Sequence, residues 1–214
     1  MNFILFAFIN PILTQKEFNN NRKLTTGSHI ELKVWGGNKI KIINAKFIPD
    51  RVYIDGIESP IDRYGRITTE DDSLYNVTLE WDEKITNFEG IFEDTSSINE
   101  IDLSYLDTSG ISSMDSMFKY CITVQSINLT NFNTSSVTTM KSMFEGCYQL
   151  TSLDLLHFDT RNVESMDSMF KDCFLITSLD LSNFETPNLV EIRQMFYGCN
   201  VLKMLDISNF TTNR

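Results

Sequence analysis

The cysteines are the residues best suited by type to do chemistry, and they recur at one constant interval along the sequence. They are Cys121, Cys147, Cys173 and Cys199. An even number of cysteines in an exported chain suggests disulfides, and four thiols could also bind zinc. Cysteines stacked in one column, however, have parallel Cβ vectors and do not converge as either arrangement requires. We therefore predict four reduced, buried thiols, with no metal site and no cofactor.

A second column with the same period consists of acidic and amide residues. It contains Asp102, Asn128, Asp154, Asp180 and Asp206. Carboxylates can bind calcium, and a polar sheet face can bind sugar hydroxyls. The alternative, which we favour, is a solvent-exposed strand position that stays polar to hold register. With its small polar neighbours this column gives a candidate binding face, here called the polar row. The polar row comprises Ser126, Asn128, Thr130, Ser152, Asp154, Ser178, Asp180, Ser182, Asp206 and Ser208.

Catalytic motifs are missing from the sequence. His29 and His157 are the two histidines, and His157 occupies a column that Tyr or Asn holds in other repeats. There is no Ser/His/Asp order, no glycine-rich phosphate loop and no Cys-x-x-Cys pair. We therefore predict that the chain has no catalytic residues and is not an enzyme.

The charge is concentrated in the second part of the chain. Residues 85–214 hold 17 Asp and Glu against 7 Lys and Arg, out of a formal net charge of −11 for the whole chain. A surface this acidic repels phosphate backbones and anionic lipid, so we expect no nucleic-acid partner and no direct membrane insertion.

The elements that position these columns are five tandem 26-residue repeats that run from Ile85 to Arg214. The first copy, 85–110, is weak, and four gap-free copies follow at 111–136, 137–162, 163–188 and 189–214. In the third copy apolar residues fall at i, i+3, i+4 and i+7, namely Met140, Met143, Phe144 and Cys147. That spacing predicts a short helix, and Leu153 and Leu155 predict a strand. The expected fold is an α/β leucine-rich-repeat solenoid, with one parallel strand and one short helix per repeat.

The segment that precedes the repeats has a different composition. We expect a β-rich N-terminal cap over residues 28–84, with strands near 29–34, 39–43, 51–54 and 75–81. The last of these lies one repeat length before the strand of the first repeat, so we interpret it as a degenerate first solenoid strand. Residues 16–27 form a polar linker. Residues 1–15 contain a short apolar run that is either a signal peptide or an ordinary buried strand.

The repeat motif resembles that of the BspA-like leucine-rich-repeat surface proteins. The matching pattern, M-x-x-M-F-x-x-C-x-x-L-T-S-L-D-L-S-x-F-x-T, is clearest at residues 140–160 and 166–186. The first copy departs from it at Thr95 and Leu106. The resemblance implies a secreted or surface-exposed protein that acts in adhesion or binding, and it carries over no catalytic residue.

Two functions follow as expectations. The first is an extracellular or cell-surface module that presents a polar, acidic concave face to a protein or glycan. The alternative is a passive spacer or surface-array element without a specific ligand. The last repeat, 189–214, lacks a capping segment, so we also expect end-to-end self-association or further repeats at that end.

Overall fold

The computed structural model of the protein describes residues 28–211, so the predicted signal peptide (1–15) and linker (16–27) lie outside the described residues. The strands are β1 (His29–Trp35), β2 (Ile40–Lys41), β3 (Arg51–Ile54), β4 (Ile57–Glu58), β5 (Arg66–Ile67), β6 (Leu74–Glu80), β7 (Ile98–Asp102), β8 (Ser126–Asn128), β9 (Ser178–Asp180) and β10 (Met204–Asp206). The described residues contain a single helical element, the 3-10 helix Ala45–Phe47. Asn44 caps that helix by accepting the Lys46 N–H at 3.1 Å.

Six strands form one sheet in the order β4-β3-β6-β1-β7-β8. Neighbouring strands are antiparallel, except that β7 and β8 are parallel. The central strand β1 buries the apolar Ile30, Leu32 and Val34, and its alternate residues, which include the exposed Trp35, face outward, as its period of two requires. Leu32 of β1 pairs with Val77 of β6 on one side and with Ile101 of β7 on the other. The N-terminal strands and the first repeat therefore share one sheet and one core.

The interpretation of residues 75–81 as a first solenoid strand is wrong. The strand there, β6, runs antiparallel between β3 and β1 and does not touch β7. Strand β1 occupies the position beside β7 instead, because its alternating apolar side chains bury against both neighbours. Lys33 of β1 also pairs with Glu100 of β7, with Nζ and Oε2 2.7 Å apart.

The predicted helix of each repeat is also wrong, and a run of tight turns takes its place. In the third copy Ser142 and Gly146 have φ angles of 55° and 73°, in the left-handed region that interrupts a right-handed helix. The N–H groups of Met143, Glu145 and Cys147 bond to the carbonyls three residues earlier, at 3.3, 3.1 and 3.2 Å. Three overlapping turns therefore bring the same side chains inward that a helix would, so the spacing of the apolar residues does not distinguish the two conformations.

Other N–H groups of the same segment donate hydrogen bonds to the backbone of the next repeat. Met140, Ser142, Phe144 and Gly146 donate to the carbonyls of Ser165, Asp167, Met169 and Lys171, at 2.8–3.0 Å. We call each such segment, residues 114–121 and their equivalents, a turn segment. A turn segment uses its backbone as a parallel β-strand does, since alternate N–H groups point to the neighbouring chain segment.

The predicted continuous parallel sheet is not formed either. Strands β7 and β8 pair in parallel, and so do β9 and β10, but no strand is present at residues 151–155 between them. The α/β fold class is therefore corrected: within residues 28–211 the chain consists of strands and turns, with almost no helix.

Successive repeats stack in register, so equivalent side chains form columns in the core. The rings of the first phenylalanine column are 5.3–5.9 Å apart and nearly parallel, and the column runs through Phe92, Phe118, Phe144, Phe170 and Phe196. A second column, with spacings of 6.1–6.4 Å, contains Phe132, Phe158, Phe184 and Phe210. Offset ring stacking adds to the burial of these large apolar surfaces.

Candidate functional site

The polar row lies outside the core along its whole length. Asn128, Ser178 and Ser182 are half-buried, and the other seven members of the row are exposed. The row crosses four successive repeats, on the strands β8, β9 and β10 and on the loop at residues 151–155. The structure thus brings all ten predicted residues onto the surface as one set.

The acidic and amide column has a structural role at the end of each strand. Each of its side chains accepts the N–H of the residue two positions later: Asp102 from Ser104, Asn128 from Thr130, Asp154 from Leu156, Asp180 from Ser182 and Asp206 from Ser208, at 2.8–3.1 Å. This is an Asx-turn, which closes the strand and starts the following loop. Hydrogen bonds from the side chain and backbone of Ser182 lower the pKa of Asp180. The period of this column is therefore explained by turn formation.

The acidic and amide column does not bring its side chains together as a cluster within residues 28–211. No group of three or more His, Cys, Asp or Glu side chains within residues 28–211 could hold a metal ion. In the first two repeats the column instead forms its own contact, since the Asn128 amide donates to Asp102 at 3.1 Å. Because residue 128 is an amide and not a carboxylate, its contact with Asp102 is a hydrogen bond instead of a repulsion between like charges.

The cysteine column faces the core. Cys121, Cys147 and Cys173 are buried, which confirms that part of the prediction, whereas Cys199 is only partly buried. Each thiol donates to the carbonyl of a phenylalanine in the preceding repeat; Cys147 bonds to Phe118 at 3.2 Å. Burial raises the pKa of Cys121 to about 12, and it raises the pKa of Cys199 as well. These thiols are thus held in the neutral form, which is a poor nucleophile and a poor metal ligand.

Beside the polar row lies a surface feature that the sequence analysis missed. Trp35, Ile122, Tyr148 and Phe174 form what we call the apolar shelf. Trp35 at the end of β1 is 47% exposed, Ile122 37% and Phe174 38%. The rings of Tyr148 and Phe174 stack at 4.9 Å with an angle of 15°.

The apolar shelf borders an open depression of about 440 Å³. Its lining comprises Trp35, Ile122, Thr123, Gln125, Tyr148 and Gln149. Gln125 directly precedes Ser126, the first residue of β8 and of the polar row. The shelf and the row therefore adjoin, so that large apolar side chains and small polar ones face solvent side by side.

The sequence did hold a signal for the shelf. Ile122, Tyr148 and Phe174 each follow a cysteine of the cysteine column. Because the cysteines face the core, the next residue must point away from it. Three large apolar residues that recur at one outward position of successive repeats form a contiguous patch, which is informative in a way that scattered exposed residues are not. Trp35 had no such signal, because its place beside Tyr148 depends on the unpredicted position of β1.

The fold and this surface define the class of the protein, a repeat protein of stacked 26-residue units. A family model described as "Mycoplasma protein of unknown function, DUF285" matches residues 68–174 and 123–214, two overlapping segments that together span all five repeats. The chain belongs to this family. Comparison with curated proteins and with solved structures found no match. Residues 28–211 include no helix that could cross a membrane.

Proposed function

We propose that the chain is a non-catalytic binding or adhesion module of the BspA-like leucine-rich-repeat type, acting outside the cell or at its surface. The repeat motif M-x-x-M-F-x-x-C supports this assignment, together with the membership of a repeat family. The proposed partner is a protein or a glycan, bound across the apolar shelf and the polar row.

The observation that carries the proposal is the exposure of the apolar shelf beside the polar row. Aromatic side chains supply large contact areas at low entropic cost, and their faces pack on the apolar faces of sugars or on partner side chains. The hydroxyl and carboxylate groups of the row can then fix orientation by hydrogen bonds. A passive spacer without a ligand does not require exposed aromatic rings, so the apolar shelf favours a binding function over a spacer function.

The acidity of the repeats narrows the choice of partner. Residues 85–214 carry an excess of ten negative charges, and the row itself contains Asp154, Asp180 and Asp206. Phosphate backbones and anionic lipids are repelled by such a field, whereas neutral glycans and neutral or basic protein surfaces are not. We therefore place nucleic acid and membrane surfaces outside the proposed function.

The proposal is tested by screening the chain on an immobilised panel of glycans and extracellular-matrix proteins. Wild type is compared with the double variant Trp35→Ala/Tyr148→Ala, which removes two rings of the shelf. Tyr64→Ala is the matched control, because its ring is 49% exposed and lies away from the shelf. Truncation of central aromatic contacts costs about 2 kcal/mol or more, so binding should weaken at least about 30-fold. Equal binding of a ligand by wild type and the Trp35→Ala/Tyr148→Ala variant would contradict binding at the apolar shelf. Binding to nothing on the panel would favour the spacer.

A further inference from the structure

One short backbone segment positions half of the residues that line the depression beside the apolar shelf. The carbonyls of residues 97–99 accept, in order, the Trp35 N–H at 2.8 Å, the Thr123 hydroxyl at 2.7 Å and the Gln125 N–H at 2.8 Å. All three of these donor residues line the depression. Trp35 of β1 and two residues of the second repeat are thus held together by consecutive carbonyl groups, which gives the depression a preformed shape.

The same segment contains a β-bulge. The pairing register of β1 and β7 shifts there, which leaves Asn99 without a partner on β1. Asn99 is 8% exposed, yet its Oδ1 receives no hydrogen bond within residues 28–211. Bulges are enriched next to binding sites, and a buried acceptor without a donor is normally explained by a bound water or ligand group. The segment therefore carries, beside Gln125, a polar atom that the described chain does not satisfy.

Among the described residues, no charged side chain lines the depression. Its lining consists of Trp, Ile, Thr, Tyr and two Gln residues, although residues 85–214 carry an excess of ten negative charges. Glu100 pairs across the strands with Ser126, next to this lining, but Lys33 neutralises its carboxylate at 2.7 Å. A charged ligand would find no counterion in the lining, so the depression fits a neutral one.

The lining is nevertheless rich in hydrogen-bonding groups that have no partner. The side-chain amides of Gln125 and Gln149 are exposed and make no hydrogen bond within the described part of the chain, and the same holds for the Tyr148 hydroxyl and the Trp35 indole N–H. An apolar partner surface would take these groups out of water without replacing their hydrogen bonds, which is costly. Sugar hydroxyls both donate and accept, as the amides do, so a sugar satisfies them.

We propose that the depression binds one sugar residue of a neutral glycan chain. This inference rests on the proposed function and narrows its partner from a protein or a glycan to a glycan. The apolar face of the sugar ring packs on the Trp35 indole, and its hydroxyl groups bond to the amides of Gln125 and Gln149. The volume of about 440 Å³ lies in the range of small-ligand sites, and the open form of the depression lets the glycan continue toward the stacked rings of Tyr148 and Phe174.

The test titrates the full chain with neutral β-linked tetrasaccharides of glucose, mannose and N-acetylglucosamine. The chain has two tryptophans, so two indole N–H signals report binding by nuclear magnetic resonance. The signal of Trp35, which is 47% exposed, should shift, whereas that of Trp81, which is 8% exposed, is the internal control. We expect at least one tetrasaccharide to bind with a Kd below about 10 mM. Its affinity should be independent of salt, because the ligand is neutral.

A pair of substitutions separates a sugar from a protein as the occupant. Gln125→Met/Gln149→Met removes both amides but keeps the length of the side chains and the whole apolar shelf. Tetrasaccharide affinity should fall at least about tenfold, whereas a protein that packs on the shelf should bind as tightly as before or more tightly. Gln194→Met is the matched control, because Gln194 is exposed and does not line the depression.

Two results would overturn the proposal. One is that no tetrasaccharide shifts the Trp35 signal at concentrations up to about 10 mM. The other is equal tetrasaccharide affinity in wild type and in the double methionine variant. If a protein then still binds wild type but not Trp35→Ala/Tyr148→Ala, the proposed binding function stands and only the glycan partner is wrong.

Discussion

The carboxylate of Glu145 accepts a hydrogen bond from the ammonium group of Lys171, one repeat further along the chain, at 2.8 Å. On its other side, Lys119 of the preceding repeat lies 3.2 Å away. The Glu145 side chain is only 5% exposed, so both contacts are shielded from solvent. The Glu145 carboxylate is thus flanked by an ammonium group from the repeat on either side, so that this column joins three successive repeats by attraction between opposite charges.

Replacement of Glu145 should destabilise the stack. Glu145→Gln leaves Lys119 and Lys171 facing a neutral amide, and we expect the free energy of unfolding to fall by about 2 kcal/mol. Urea denaturation measures the change, with the exposed Glu185→Gln as the matched control. An effect no larger than that of the control would contradict the assigned role of the column.

The contribution of Glu145 should depend on pH in a defined direction. Burial raises the pKa of Glu145, but hydrogen bonds from Lys171, Ser142 and Lys119 outweigh it, so the pKa is lower than in the unfolded chain. A depressed carboxyl pKa stabilises the fold fully above the unfolded pKa, about 4.3, and this stability is lost as the pH falls through the folded pKa. The difference between wild type and Glu145→Gln should therefore shrink in acid below about pH 4. A difference that grows on acidification would show the sign to be wrong.

Gly146 is predicted to tolerate no side chain. Its φ is 73°, and a Cβ there would lie 2.3 Å from Cδ1 of the Tyr120 ring in the preceding repeat. Gly146→Ala should cost about 2–3 kcal/mol, from backbone strain and this clash together.

Gly110→Ala provides the matched control, because φ is 79° there but nothing lies within 4 Å of an added Cβ. It should cost only about 1 kcal/mol. Adding Tyr120→Ala to Gly146→Ala should relieve the clash, so a double-mutant cycle measures the coupling. An equal loss of unfolding free energy in Gly146→Ala and Gly110→Ala, with no coupling to Tyr120→Ala, would contradict the close approach of Gly146 to the Tyr120 ring.

Thiol reactivity should follow burial. In the native protein Cys121, Cys147 and Cys173 should resist a thiol reagent, and Cys199 should react slowly because it is only partly buried. Burial holds the pKa of each thiol above its ordinary value, so little thiolate is present at neutral pH. Four thiols should react after denaturation. Rapid reaction of two or more native thiols, or disulfides in the mass spectrum, would contradict the buried column.

The repeat period alone was enough to predict which side chains face the core. Met140, Phe144 and Cys147 are buried, because stacked units can bury only their recurring apolar positions. The conformation that buries them is not predictable from that spacing, since three overlapping turns and one helix bring the same residues inward. Three left-handed positions are held by glycine, namely Gly90, Gly146 and Gly198, and glycine there favours turns over a helix. Ser142 has the same backbone conformation, but its residue type does not indicate it.

The candidate site was predicted only in its polar half. The polar row followed from the alternation of residues around Leu179 and its equivalents, which holds in a strand whatever precedes it. The apolar shelf depends on where the turn segment ends and where β1 lies. Both are set by long-range pairing, which local patterns do not encode.

The central claim is that adjacent repeats are joined by backbone hydrogen bonds between their turn segments, which also fixes the position of the apolar shelf. The most direct measurement is the scalar coupling across hydrogen bonds by nuclear magnetic resonance. The account predicts a coupling between the amide nitrogen of Ser142 and the carbonyl carbon of Asp167, whose N···O distance is 2.8 Å. A coupling from Ser142 to the carbonyl of Thr138, four residues earlier, would instead show a helix and contradict the account.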